Sequence, residues 1–324
     1  MSDERAVAAT SREVVVFGET IVDCIEGRQI LGGAPCNVAR HLAGLGCVPR
    51  FISRVGADAL GDLAARELVG FGLDPRGLQR DPQLPTAVAQ VLLGPQGPRF
   101  EIPPVAAFDF IDADAASRVL DEVRTQEPLL YFGTLAQRGA ASRQALRVLR
   151  GASGVQGCAD LNLRAEVVDA GALADLLHGS VDLKLSQEEL ETVLRLLGLD
   201  AAGMPEAQIG EALARGLGLE RLQRLHLTRG AQGSLCLQRG GRPALSVRPR
   251  QGVPVVDTVG AGDAYCAVIL LGLARAWPLQ QTMQRASDFA AAICGVPGAV
   301  PAGLDFYADW RRAFDGEMER GVRT

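Results

Sequence analysis

Lysine is almost absent: among the 33 basic residues of this 324-residue chain only Lys184 is a lysine. A phosphate-cradling P-loop needs Gly-Lys before Ser or Thr, and Lys184 stands between Leu183 and Leu185. Walker-type phosphoryl transfer is therefore excluded. The arginines are scattered, and 33 basic against 38 acidic side chains leave a net charge of −5. The electrostatic footprint of a nucleic-acid binder is missing, so no nucleic-acid partner is expected. Histidine is nearly as rare, with His41, His178 and His226 alone and none four residues from another. Zinc-protease and zinc-finger spacings are thus missing. The seven cysteines are odd in number and widely spaced, with no C-x-x-C pair, which reads as reduced thiols. No apolar run reaches the roughly 18 residues that a spanning helix needs. The first dozen or so residues carry Asp3, Glu4, Arg5 and Arg12 rather than an apolar signal core. A soluble, cytoplasmic protein with no membrane partner is expected.

What is present is globular composition, 48% hydrophobic and 22% charged, enough for a sizeable core. A buried strand over Glu13–Phe17 precedes a second apolar run, Thr20–Ile25. Gly32-Gly33 break the chain before a helix from Ala34 to Leu45, with Gly46 as its cap. A strand at Arg50–Val55 and a helix from Asp58 to about Val69 follow. Thr86–Leu93 and Arg99–Ile102 flank Gly94-Pro95-Gln96-Gly97-Pro98, the composition of a hairpin with a five-residue loop. Alternation resumes with a helix near Asp112–Gln126, a strand at Leu129–Phe132, a helix near Ala141–Leu149 and a strand at Val155–Leu161. It continues through Val181–Leu185, a helix from Ser186, the strand Leu222–Thr228 and the pair Ser234–Gln238 and Ala244–Val247. Helices near Ala261–Ala276 and Leu279–Cys294 are expected to finish the fold. This rhythm predicts one α/β domain over residues 1–324, a mostly parallel sheet between helices with its site at the strand carboxyl ends.

The strongest local signal is Asp257-Thr258-Val259-Gly260-Ala261-Gly262-Asp263, just before an apolar helix. Glycines at a helix start let backbone N–H groups face outward, and the dipole adds about half a positive charge. Asp263 would sit in the first turn beside this anion hole. Spacing alone leaves two readings of it, an acidic helix cap or a base for a hydroxyl attacking a phosphoryl group. A dinucleotide fingerprint is not met, because no glycine follows three positions after Gly262.

That heptapeptide resembles the D-T-x-G-A-G-D signature of ribokinase-like (pfkB) sugar kinases. Gly32-Gly33-Ala34-Pro35-Cys36-Asn37 resembles the G-G-A-P-x-N of that family's fructokinases, and Phe51–Gly61 extends the likeness. Asp160-Leu161-Asn162-Leu163-Arg164, Leu183–Glu189 and Thr228–Gly233 are similar to its D-x-N-x-R, V-K-x-N-x-x-E and T-x-G-x-x-G segments, in family order. The likeness runs from about Val14 to Ala302.

The resemblance implies a ribokinase-like fold and an ATP-dependent kinase. By position it makes Asp263 the catalytic base and Gly260, Ala261 and Gly262 the anion hole. It puts Asp23, Gly32, Gly33, Asn37 and Arg164 at the sugar, and Lys184, Ser186, Thr228, Gly230, Gly233 and Gly262 at ATP. Glu189 matches the acidic residue holding the water shell of Mg2+, and Asp257 with Val259 matches the loop that binds K+ in activated relatives. Ser186 departs from the family's Asn, and Val259 from the Thr of many members. Ala291 and Cys294 fall on the helix that lines the adenine pocket. A small β-sheet lid is implied over about 20–31 and 87–102, with a homodimer formed through it. Gly-Gly-Ala-Pro favours a free hexose, fructose first, with 2-keto-3-deoxygluconate as the alternative sugar and a non-catalytic sugar-binding regulator as the alternative class. Arg99 and Asp109 are the residues expected to tune sugar choice.

Overall fold

The computed structural model describes residues 12–25, 27–94, 97–163, 169–200 and 204–321. Arg164 lies outside them. In chain order the strands and helices are β1 (Val14–Phe17), β2 (Ile21–Ile25), β3 (Arg28–Gly32), α1 (Ala34–Gly44), β4 (Arg50–Gly56) and α2 (Ala59–Gly70). Next come β5 (Leu78–Asp81), β6 (Ala87–Gly94), β7 (Gly97–Glu101), α3 (Ala113–Asp121), β8 (Leu129–Phe132), α4 (Ala140–Gly151), β9 (Gln156–Asp160) and α5 (Ala170–Leu177). The chain continues through β10 (Ser180–Ser186), α6 (Gln187–Leu196), α7 (Glu206–Gly216), β11 (Arg224–Thr228), β12 (Ser234–Gln238) and β13 (Leu245–Val247). Three helices follow, α8 (Ala261–Ala274), α9 (Leu279–Ile293) and α10 (Asp305–Gly321).

The large sheet runs β13-β12-β11-β10-β9-β8-β1-β4-β5. It is parallel from β11 to β5, and β12 and β13 add antiparallel. A parallel sheet must be covered on both faces, and β1 shows it residue by residue. Val14 and Val16 pack into one core with Val38 and Leu42 of α1 and Val268 of α8. Val15 and Phe17 pack into the other core with Leu146 and Leu149 of α4. The small sheet, β3-β2-β6-β7, is the expected lid. There β2 pairs antiparallel with β3 and parallel with β6, so the lid joins two distant segments.

Several elements differ from expectation. The fold does not end at α9: α10 follows, and its Tyr307 ring packs so closely on α1 that a Cβ at Gly44 would stand 2.7 Å from it. The strand β5 and the helices α5 and α7 are additional as well. The lid hairpin is tighter than a five-residue loop, since β6 pairs with β7 as far as Gly94 opposite Gly97. Helix α3 stops at Asp121, capped at its start by Asp112, whose carboxylate accepts from the Ala115 amide at 2.8 Å.

Candidate active site

Helix α8 starts where two loops are stitched together. Gly260 caps it in the left-handed region at φ 78°, and a Cβ there would stand 2.5 Å from Ala299 Cα. Only glycine satisfies both conditions. The preceding loop is held by the Val256 and Asp257 amides, which donate to the Cys294 carbonyl at 2.7 and 3.1 Å. The Asp257 carboxylate accepts from the Val259 amide at 3.0 Å and the Gly298 amide at 3.1 Å. Ala261, Gly262 and Asp263 form the first turn, where helix amides have no intrahelical acceptors and the dipole favours an anion; the Ala261 amide donates to the Thr258 carbonyl at 3.3 Å.

On one side of this turn lies a cavity of about 340 Å³. Asp263, Asn37, Gly33 and Asp23, which the resemblance places at the sugar and the base, all line it, and the small sheet contributes Ala89 while Ile102 follows β7. Asp23 sits on β2 with its carboxylate against Gly32, where a Cβ would lie 2.4 Å from Oδ2. Gly33 has φ 96° and a Cβ on it would meet the Glu19 carbonyl at 2.7 Å. The double glycine therefore makes room for a carboxylate and for the turn into α1. Asn37 Nδ2 donates to Asp263 Oδ2 at 2.8 Å. Burial pushes the Asp263 carboxyl up to about 7; the Asn37 bond and the Lys184 charge oppose the rise, while Asp160 and Glu19 add to it.

Glu19, Ile21 and Asn162 are among the lining residues not anticipated as site residues. Asn162 has φ 36°, a left-handed conformation that Asn tolerates better than most residues. Thr134 Oγ1 donates to the Leu161 carbonyl at 2.8 Å, holding the turn in place. The signal was available, because Glu19 and Asn162 each lie two residues past the carboxyl ends of β1 and β9, where open α/β sheets place ligands. Arg99 lies on β7 opposite Leu92. Asp109 does not line the cavity; it is buried, accepting from Arg138 Nε at 2.8 Å and from the Ala106 amide at 2.8 Å. Its carboxylate holds a turn and an arginine, so a role in choosing sugar is not what its surroundings support.

On the other side of the turn is a cavity of about 460 Å³. Thr228, Gly230, Gly233, Ala261 and Gly262 line it, with Ala291 and Cys294 from the α9 end. Val255, also in its wall, is 71% exposed, apolar surface that a flat apolar ligand would cover. Thr258 belongs to both cavities. The two spaces therefore meet at the start of α8.

Lys184, Ser186 and Glu189 line neither cavity. Lys184 Nζ donates to Asp160 Oδ1 at 2.9 Å and lies beneath the anion turn, 3.1 Å from where a Gly262 Cβ would be. Burial disfavours its charge, but the Asp160 carboxylate outweighs that and its pKa is raised. Asp160 Oδ2 also accepts from Tyr131 Oη at 3.3 Å. Ser186 caps α6: its Oγ accepts from the Glu189 amide at 3.2 Å, and Glu189 Oε2 accepts from the Ser186 amide at 2.6 Å. Glu189 Oε1 accepts from the Leu163 amide at 2.6 Å.

Among the described residues no three His, Cys, Asp or Glu side chains cluster as a metal cage. A divalent ion that arrives with phosphates keeps several waters of its own. Glu189 suits such a water shell, since each of its oxygens accepts one amide and retains a second lone pair. It also stands between the cavities, with Leu163 next to Asn162 and Ser186 paired with Thr228.

A parallel sheet with two adjoining cavities at its strand ends, and a carboxylate beside an anion-binding helix start where they meet, defines a phosphoryl-transferring kinase. The chain belongs to the pfkB family of carbohydrate kinases, whose "pfkB family carbohydrate kinase" pattern matches residues 4–304. It is an ATP-dependent carbohydrate kinase. It is 31% identical to the fructokinase of Escherichia coli over 285 residues, covering 81% of this chain and 85% of that one. To the Salmonella typhimurium fructokinase it is 30% identical, over 93% of this chain and 99% of the other. The fold is shared with the ATP-bound Xylella fastidiosa fructokinase, with a TM-score of 0.77 at 23% identity over 94% and 99% of the two chains. It is also shared with the Salmonella enterica aminoimidazole riboside kinase, with a TM-score of 0.71 at 22% identity over 93% and 100%.

Proposed function

We propose that the chain transfers the γ-phosphate of ATP to the C6 hydroxyl of fructose. The observation that carries this reading is the composition of the smaller cavity. Glu19, Asp23 and Asp263 supply carboxylates to it and Asn37 an amide. Carboxylate pairs suit the vicinal hydroxyls of a neutral sugar and repel an anionic one, which weighs against 2-keto-3-deoxygluconate and phosphosugars. Support for fructose in particular comes from the relatives named fructokinase.

Asp263 is the base in this reading. Its raised pKa suits proton abstraction near neutrality, and it takes the hydroxyl proton as the sugar oxygen bonds to the γ-phosphorus. The bond from that phosphorus to the β–γ bridging oxygen breaks, and ADP leaves. The Gly260–Gly262 turn donates to the phosphoryl oxygens, which carry the developing charge. Mg2+ supplies charge neutralisation on the phosphates when bound, with Glu189 ordering its waters, and K+ would sit at the Asp257–Val259 loop. Adenine would lie along Val255, Ala291 and Cys294. The intact base and anion turn weigh against a non-catalytic regulator. A homodimer through the lid is part of the proposal: β3 and β7 are its edge strands, and Ile30 on β3 is 40% exposed.

ADP release from Mg·ATP over fructose, 2-keto-3-deoxygluconate, ribose, adenosine and fructose 6-phosphate, with and without K+, tests the reading. Turnover with fructose and loss of about 100-fold or more in kcat on Asp263→Asn support it. Preference for another sugar overturns the substrate, and near-normal turnover of the variant overturns the base.

A further inference from the structure

Helix α1 carries a second polar side chain one turn after Asn37. His41 is wholly buried, and residues four apart lie on the same helix face. Its Nε2 is 3.0 Å from the Ala299 carbonyl and its Nδ1 is 2.9 Å from Tyr307 Oη. A carbonyl only accepts, so Nε2 carries the proton and donates. Burial, with the neighbouring Arg40 charge, holds the imidazole neutral, at a pKa of about 3. Nδ1 is therefore bare and accepts the Tyr307 O–H. One tautomer is selected, and each ring nitrogen has one partner.

Those partners matter because of where they sit. The Ala299 backbone is the surface on which Gly260 packs, and Gly298 next to it donates to Asp257. Tyr307 belongs to α10, whose ring also packs on Gly44 at the far end of α1. The Phe289 ring stands edge-on to the imidazole at 5.5 Å.

We propose that His41 is a positioning residue for phosphoryl transfer: α1 holds the reaction centre at two points, Asn37 on the carboxylate of Asp263 and His41 on the loop that fixes Gly260. The first point sets the base, the second sets the anion turn, and because both sit on one helix face their separation is rigid. The inference rests on the proposed roles of Asp263 and Gly260–Gly262. It adds that the turn is displaced when the Ala299 bond is lost, with no change in any residue that touches substrate.

The test compares His41→Phe, His41→Gln, Tyr307→Phe and Asp263→Asn, each checked for folding by thermal melting and assayed with Mg·ATP and the sugar that wild type phosphorylates. His41→Phe fills the space without a donor. It is expected to lose about tenfold in kcat, less than removing an anion-hole donor outright, with both KM values within about threefold. His41→Gln, whose amide nitrogen replaces Nε2, is expected to regain most of that loss. Tyr307→Phe frees the ring to turn, and a loss of about threefold in kcat is expected. Wild-type kcat in folded His41→Phe overturns the proposal, as does a Gln variant no better than Phe at equal melting temperature. If the Phe variant does not fold, wild-type kcat in Tyr307→Phe overturns it. Loss of turnover in Asp263→Asn beside normal His41 variants refutes this inference alone, whereas an active Asp263→Asn refutes the assignment beneath it.

Discussion

Asn37 Nδ2 reaches Asp263 Oδ2 at 2.8 Å across 226 positions of sequence, and so ties the start of α1 to the first turn of α8. This bond favours the ionised carboxyl, which burial otherwise pushes up to about 7. In the proposed reaction the base acts as the carboxylate, so activity is expected to fall as pH drops through that range. Asn37→Ala removes the opposing bond, so the acid limb of kcat against pH at saturating sugar moves to higher pH. An unmoved limb would separate the bond from the titration.

The same carboxyl makes stability depend on pH. Its folded-state pKa lies above its ordinary 3.8, so between those values the folded chain keeps a proton that the unfolded chain has lost. The stability from this group is fully present below about 3.8 and is lost as pH rises through about 7. Asp263→Asn stays neutral throughout, so its melting temperature relative to wild type should climb between about pH 4 and about pH 7 and level off above that. A constant difference would place the carboxyl in ordinary solvent.

Gly32 is the seat of the Asp23 carboxylate. A methyl at this position would stand 2.4 Å from Oδ2, closer than any real contact, so Gly32→Ala turns the carboxylate away. Sugar KM is expected to rise about tenfold or more, with ATP KM unchanged, because only the sugar side of the turn is altered. Equal effects on both would point to a general disturbance of β3.

The Lys184–Asp160 pair lies under the anion turn, with side chains 13% and 1% exposed. Removing one partner of such a pair strands a buried charge, and Lys184→Met should cost about 3–5 kcal/mol in denaturant unfolding. Lys184→Met with Asp160→Asn should recover much of that loss. The single variant should also shift the acid limb upward, since the Lys184 charge lowers the Asp263 pKa.

How much of this was legible depends on how local the cause is. The start of α8 was readable because glycines just before an apolar run mark a helix entry, and Gly260 indeed adopts φ 78°; what Asp263 does there was readable only through the family motif. Asp23, Gly33 and Asn37 were readable through their motif, and the structure brings them into one cavity with Asp263. Helix α10 was hidden because Tyr307, Trp310 and Phe314 are interleaved with Asp309, Arg311, Arg312 and Asp315. Only its docking on α1 and α9 makes that stripe a buried face. Lys184 was expected at ATP because its motif lies there. Its actual partner, Asp160, comes from the neighbouring strand, and strand order is not written in either segment. Asp109 misled for the same reason, its partner Arg138 lying 29 residues away.

Lys184 is also the only lysine, and it sits in β10 with β9 and β11 hydrogen-bonded on either side. A lysine-specific protease therefore has one bond to cut in the whole chain, and it is out of reach while the sheet is closed. The rate of that single cut is a clock for the opening of the strand beneath the anion turn. Any ligand that binds only the closed sheet slows the clock in proportion to its occupancy, which turns a scarcity of one amino acid into a label-free reporter of binding.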